Sequence, residues 1–247
     1  MKQHTFLHTA FAGLVASTTL AIAEEPKGWQ TTANVNASVA KGNSDTLLVG
    51  AAIKTLKKWD KNEVALGSDA TYGSNRDLNS GNQTTSAQNY GAFGQYNRLI
   101  TERWYFAALV DGRQDRIAGI NYRVSLVPSA GYYAIKNDTY TLAFEVGPGF
   151  IMENLKGAGT DNYLSLRVAE NFRWKINDRA SLSQKFEILP KVDEFDNYVM
   201  NFDLTLSSKI TEKLSVNVTF QDFYRSTPAP GRKENDLRLL AGLGYTF

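Results

Sequence analysis

The sequence predicts an all-β fold: an antiparallel up-and-down transmembrane β-barrel of about twelve strands. Three observations point to it. Apolar and polar residues alternate at period two through nearly the whole chain, with no long 3.6-residue stripe to compete. Most candidate strands run about 9 to 15 residues, whereas strands of soluble proteins run near 5 or 6 and a tilted membrane strand needs about 9–11. The connections alternate between short, self-similar turns and longer loops rich in Gly, Asn, Ser and Pro, as in outer-membrane barrels.

Residues 1–23 read as a secretory signal peptide, leaving 24–247 as the barrel. Lys2 supplies the positive start. An apolar stretch follows, and Ala21-Ile22-Ala23 forms an A-x-A cleavage signal ahead of Glu24. The stretch is broken by Thr18 and Thr19 and is too short for a stable helical span. The expected location is the outer membrane of a Gram-negative-type envelope, after cleavage near Ala23.

The predicted strands are 29–40, 46–56, 62–73, 85–98, 104–114, 120–133, 139–150, 163–175, 181–189, 198–208, 214–223 and 236–247. The first sets Trp29, Thr31, Ala33, Val35, Ala37 and Val39 against Gln30, Thr32, Asn34, Asn36 and Ser38. The last sets Leu237, Leu239, Ala241, Leu243, Tyr245 and Phe247 against Arg238, Leu240, Gly242, Gly244 and Thr246. Glu170 breaks the apolar phase between Val168 and Phe172, so a β-bulge is expected there.

Short turns are expected at Lys57–Asn62, Ile100–Arg103, Ile135–Asp138, Ile176–Arg179 and Ile210–Lys213. Four of them carry an Ile and then Asn or Thr followed by an acid. Asn and Thr side chains hydrogen-bond nearby backbone, which makes this turn chemistry. Long loops are expected at Gly73–Thr84, Ile151–Asn162 and Tyr224–Asn235. With twelve strands, both termini share the short-turn side, periplasmic in such a barrel. Trp29, Trp59, Trp104 and Trp174 all fall at that end, as interfacial anchors. Tyr72, Tyr90, Tyr122, Phe150, Tyr163, Tyr198 and Phe223 form the expected second belt.

Composition excludes several functions. The 247 residues are 43% hydrophobic, 21% charged and 12% aromatic, with mean hydropathy −0.33. That average rejects a polytopic helical membrane protein but suits interleaved apolar and polar faces. The formal charge of +2 falls to +1 when Lys2 leaves, so no nucleic-acid partner is expected. There is no cysteine, and both histidines, His4 and His8, lie in the signal segment. The mature chain therefore cannot build a Ser-His-Asp triad, an Asp-His pair or a thiolate zinc site. No catalytic residue, cofactor or metal is expected. Asp193-Glu194-Phe195-Asp196 reads as a solvated acidic loop between strands nine and ten rather than a Ca²⁺ or glycosidase site. Asp111-Gly112-Arg113-Gln114-Asp115 lacks EF-hand spacing.

The terminal Phe247, preceded by apolar residues at alternate positions including Tyr245, resembles the insertion signal of barrels handled by the barrel-assembly machinery. The whole mature chain resembles an uncharacterised family of salt-induced outer-membrane proteins. The resemblance is carried by Gly42-Asn43-Ser44, Thr101-Glu102-Arg103 before Trp104-Tyr105-Phe106, Arg123, Gly131-Tyr132, Gly147, Gly149, Asp236 and Tyr245-Thr246-Phe247. It implies an envelope location and a link to salt or osmotic stress, and it implies no catalytic or ligand residues.

Taking the polar phase as inward places Lys54, Arg113, Arg123, Arg167, Arg173, Lys185 and Arg238 in the lumen, with Glu63, Asp69, Asp111, Glu145, Glu187 and Asp203. Mixed charge fits a narrow pore for small solutes or ions, or a braced structural barrel. The expected partners are outer-membrane lipids and, during insertion, the assembly machinery. Two rival classes stay open: a soluble periplasmic barrel with its apolar phase inward around a small apolar ligand, and a His-independent outer-membrane enzyme.

Overall fold

A computed structural model describes residues 28–40, 44–77 and 82–247. The predicted signal peptide lies outside the described residues. The strands are β1 (Gln30–Ala40), β2 (Ser44–Trp59), β3 (Asn62–Asp77), β4 (Gln83–Leu99), β5 (Trp104–Asp115), β6 (Ile120–Lys136), β7 (Tyr140–Leu155), β8 (Gly159–Lys175), β9 (Ala180–Lys191), β10 (Glu194–Lys209), β11 (Leu214–Arg225) and β12 (Asn235–Thr246). Each pairs antiparallel with its sequence neighbours, and β1 pairs with β12 to close the sheet. The predicted fold class and strand order are therefore the observed ones.

The closing seam runs from Thr32↔Thr246 to Ala37↔Ala241. Beyond it, the Phe247 amide donates to the Thr31 carbonyl at 2.9 Å. Gly242 belongs to this seam because a Cβ there would run into the Val35 carbonyl. Closure leaves no open edge, so the ladder satisfies its own backbone groups.

Four turns at one end of the barrel repeat a single hydrogen-bond pattern. Thr101, Asn137, Asn177 and Thr211 each accept, through the side-chain oxygen, from the backbone amides two and three residues on, at 2.7–3.3 Å. That geometry is why the sequence repeats Asn or Thr there. The fifth turn is tighter: Asp60 takes a φ of 49° between β2 and β3, a conformation that Asp tolerates better than most residues.

At the opposite end the strands overrun the predicted boundaries. β7 continues to Leu155 and β8 starts at Gly159, so most of the expected Ile151–Asn162 loop is strand. The left-handed Gly157 and Gly159 turn the chain in their place. β9 and β10 are separated only by Val192 and Asp193, so the acidic stretch is the end of a tight turn and the start of β10 rather than a loop. The expected Tyr224–Asn235 loop is present, spanning 226–234.

Alternation governs burial. On β7, Phe144, Val146 and Phe150 are 45%, 49% and 41% exposed, while Ala143, Glu145, Ile151 and Glu153 are nearly inaccessible. The same inversion recurs around the barrel: large apolar side chains point out and polar ones point in. A soluble barrel with its apolar phase inward requires the opposite.

The tryptophans occupy the turn end. Trp29, Trp59 and Trp104 are exposed, the Lys57 ammonium lies 5.8 Å from the rings of both Trp29 and Trp59, and Trp174 stacks on Tyr140. Of the opposite belt, Tyr72, Tyr90, Tyr122 and Phe150 are exposed. Tyr163 and Phe223 depart from that expectation. They stand on the inward phase, where Tyr163 bonds a buried carboxylate and Phe223 joins an apolar cluster.

The expected bulge at Glu170 is also absent. Glu170 stays in register between Phe144 on β7 and Phe186 on β9, so its carboxylate sits on the outer face. The Gln184 amide donates to it at 2.7 Å. A hydrogen bond at a diagonal cross-strand position has met the conflict that a bulge was expected to relieve. Gln184→Leu should leave the carboxylate unpartnered among apolar side chains and cost about 1–3 kcal/mol. The double change Glu170→Leu with Gln184→Leu should recover that loss, as measured by denaturant unfolding in lipid vesicles.

Candidate functional site

The interior is built from the inward phase of all twelve strands, and it is not uniform from end to end. Near the turn end one wall is apolar and aromatic. Tyr105, Ala107, Tyr133 and Ala143 pack together with Leu99, the two tyrosine rings 4.9 Å apart. The Tyr105 ring lies directly over Gly131, where a Cβ would collide with it. The facing wall, from β8 to β12 and on to β1 and β2, carries small polar residues instead. Against the polar wall lies a cavity of about 330 Å³, lined by Thr, Ser, Asn and Gln side chains with Lys54 and Arg173 and by apolar residues such as Leu56 and Leu240.

Further in, Arg167 forms a rung. Its guanidinium binds Glu145 of β7 at 2.7 Å and Glu187 of β9 at 2.9 Å. Tyr105 and Gln95 also donate to Glu145, at 2.9 and 3.4 Å, and Asn201 donates to Glu187 at 2.8 Å. Lys185 lies 3.7 Å from Glu187. The rung thus ties side chains from β4, β5, β7, β8, β9 and β10 together.

A second rung lies toward the loop end. Glu153 of β7 is held by Arg123 of β6 at 2.9 Å and by Arg225 of β11 through two bonds of 2.7 and 3.1 Å. Tyr163 donates to the same carboxylate at 3.2 Å. β7 and β11 are separated in the sheet by three strands, so the Glu153–Arg225 pair crosses the lumen. Beside it, Ile120, Val199 and Phe223 form an apolar plug with Ala118 and Leu155. Arg113 places its guanidinium 5.6 Å from the Phe223 ring. Between the rungs remains a cavity of about 70 Å³, touched by Arg123 on one side and Arg167 on the other.

The structure places every sequence-predicted lumen residue on the inward phase. Lys54 and Arg173 line the larger cavity. Asp69, Asp111, Arg113, Arg123, Arg167, Lys185 and Glu187 line the smaller. Glu145 belongs to the first rung. Glu63 pairs with Lys58 at 3.0 Å, and Asp203 accepts from Gln221 at 2.6 Å. Arg238 is buried in the field of Asp115, Asp236 and Asp69. Sequence reasoning passed over Lys58, Asp115, Glu153, Arg225 and Asp236, all inward and, apart from Lys58, deeply buried. The signal was available. Glu153 and Arg225 lie on the inward phase of β7 and β11, three and two positions beyond where Gly, Asn and Pro residues suggested an end.

Asp115 has a separate task, since its carboxylate accepts from the amides of Ile117 and Ala118 at 3.0 and 2.8 Å. Asp193, Glu194 and Asp196 are exposed, and Glu194 accepts from Asn197 at 3.2 Å. That is ordinary surface turn chemistry.

A model of the family described as protein of unknown function, DUF481, matches residues 33–247. The chain belongs to that family. No curated protein matches the chain. Among solved structures, it is similar to the NanC porin, with a TM-score of 0.54 and 8% identity over 87% of this chain and 98% of that one. An outer-membrane channel of Pseudomonas putida F1 gives 0.53 and 12% identity over 89% and 95%. The translocator domain of the autotransporter NalP from Neisseria meningitidis gives 0.52 and 12% over 91% and 90%. At these identities the likeness is one of fold. Porin, channel and translocator share it, so the interior of this chain has to decide between functions.

Removing one partner from a buried ion pair strands the other charge, at a cost of about 3–5 kcal/mol. Glu153→Gln should lower stability by that order, since it leaves Arg123 and Arg225 facing each other. Asp161→Asn, which removes the exposed partner of Lys191 (3.0 Å), should cost no more than about 1 kcal/mol. Denaturant titrations of the detergent-refolded proteins compare the two.

Proposed function

We propose that this chain is a non-enzymatic outer-membrane barrel with a narrow path for small polar solutes, its turn end periplasmic and its loop end extracellular. The observation that carries this reading is the pair of stacked cavities inside a closed barrel. Ser183 borders the larger cavity and Lys185, the next inward residue of β9, borders the smaller. Among the described residues, what narrows the path is side chains: two ion-paired rungs and one apolar cluster. Side-chain rungs can rearrange without refolding the sheet, which a narrow gated path requires.

The exposed apolar band with aromatic residues at both ends supports insertion in a bilayer, with lipids as the outer partner. The mature chain's lack of His and Cys supports a non-enzymatic role. The A-x-A segment supports export with cleavage near Ala23. Tyr245 and Phe247, exposed at the end of β12 with rings 5.0 Å apart, support delivery by the barrel-assembly machinery. The resemblance to salt-induced proteins supports one more element: the path serves a cell under salt or osmotic load.

Planar-bilayer recording tests the pore. The wild-type protein should give small, reproducible steps. Glu153→Ala combined with Arg225→Ala removes the crossing pair without leaving an unpaired Glu153, and should give larger steps. Silence from both inserted proteins would overturn the pore and leave a braced structural barrel. In cells, deletion of Phe247 should reduce the inserted fraction several-fold while leaving refolding in detergent intact, as read from membrane fractions against purified protein.

A further inference from the structure

We infer that the turn-end cavity is a binding subsite for a small polyhydroxylated anion, a sugar acid or sugar phosphate in chemical class. The inference deepens the pore reading, because the same cavity would be its periplasmic vestibule. It stands on three observations.

First, the charged side chains in the wall are Lys54 and Arg173, and among the described residues no carboxylate lines the cavity. Glu63 faces Lys54 from outside the lining as an opposite charge, and Lys185, Arg173 and Lys58 as like charges. A lining with two cations differs from the mixed charge elsewhere in the lumen. An anion is the ligand that such a lining favours.

Second, most of the other lining residues carry hydroxyls or amides whose bonding capacity is only partly used, interspersed with apolar residues such as Leu56 and Leu240. Thr32 bonds Thr246 at 3.1 Å, Thr205 bonds Thr219 at 3.1 Å, and Asn217 donates to Asn34 at 3.2 Å. Each hydroxyl and each amide can form further bonds. Thr, Asn and Ser donors and acceptors along the wall suit a polyol.

Third, the size is right. A cavity of about 330 Å³ lies at the lower end of small-molecule sites, which run about 300–1,000 Å³. Arg173 supplies a planar fork that binds carboxylate or phosphate in a bidentate manner, and Lys54 a compact point charge. The cation pair would fix the acid group while the hydroxyl-lined wall reads the ring.

Titration calorimetry on the refolded full-length barrel in detergent tests the subsite without requiring conduction. The probes are D-glucuronate, glucose 6-phosphate and glucose, and migration of unheated against heated protein on denaturing gels verifies folding of each variant. At least one of the two anions should bind, more tightly than glucose, and the one that binds distinguishes carboxylate from phosphate. Arg173→Gln and Lys54→Gln should each weaken it tenfold or more, the order expected for a charged hydrogen bond of about 1.5–3 kcal/mol. Arg173→Lys should retain part of the affinity. Equal binding of glucose, no binding by folded wild-type protein, or affinity unchanged in folded Gln variants would overturn the subsite. Binding with silent bilayers would overturn the pore reading and leave the subsite standing; conductance without binding would do the reverse.

Discussion

Closure of β12 onto β1 is the constraint on which everything else rests. It removes the two edges of a twelve-stranded sheet and sets one circumference. Once the circumference is set, the interior volume is set with it, and inward side chains have to fill or line that volume. The seam interleaves small residues, Ala33, Ala37, Ala241, Gly242 and Gly244, with larger ones such as Val35, Leu243 and Tyr245. The repeated Asx and Thr turns do the complementary work of holding each hairpin in register.

Inside that fixed volume the chain uses charge where a soluble core would use apolar packing. The apolar residues are committed to the outer face, so the interior draws on what the other phase supplies. Arg and Glu on different strands reach across and satisfy each other. Buried ion pairs contribute little net stability once desolvation is counted, yet breaking one is costly. The rungs are therefore better understood as devices that fix one arrangement of the lumen than as its main source of stability. Among the described residues, inward apolar side chains gather in three small clusters, around Tyr105, Phe223 and Leu48, with Val127 and Ile151 buried outside them.

Much of this was legible in the sequence because a β-barrel writes its two faces on alternate residues. Strand number, order, the outward phase and the inward position of residues such as Arg167 and Glu187 all follow from period two. Strand ends did not. Gly157, Asn154 and Pro230 read locally as loop, while the ladder carries β7 and β8 several residues further on cross-strand pairing. That cost the reading Glu153 and Arg225, the residues of the crossing pair. Glu170 shows the second limit. From one strand it looks like a phase error, and only the register with β9 reveals Gln184 as its donor. The Glu153–Arg225 pair crosses the lumen, so it depends on barrel closure, which no local pattern encodes.

The two walls near the turn end divide labour in a way that a cylindrical picture hides. Tyr105 and Tyr133 thicken one side, while the larger cavity is lined by β1, β2 and β8 to β12, so the open space is a gutter off the barrel axis rather than a central bore. On the pore reading proposed above, width and affinity then sit largely on separate strands. Substitutions in β5 and β6 would act first on width, and those in β1, β2 and β8 first on recognition. A lineage with this layout could change its cargo and its cut-off separately.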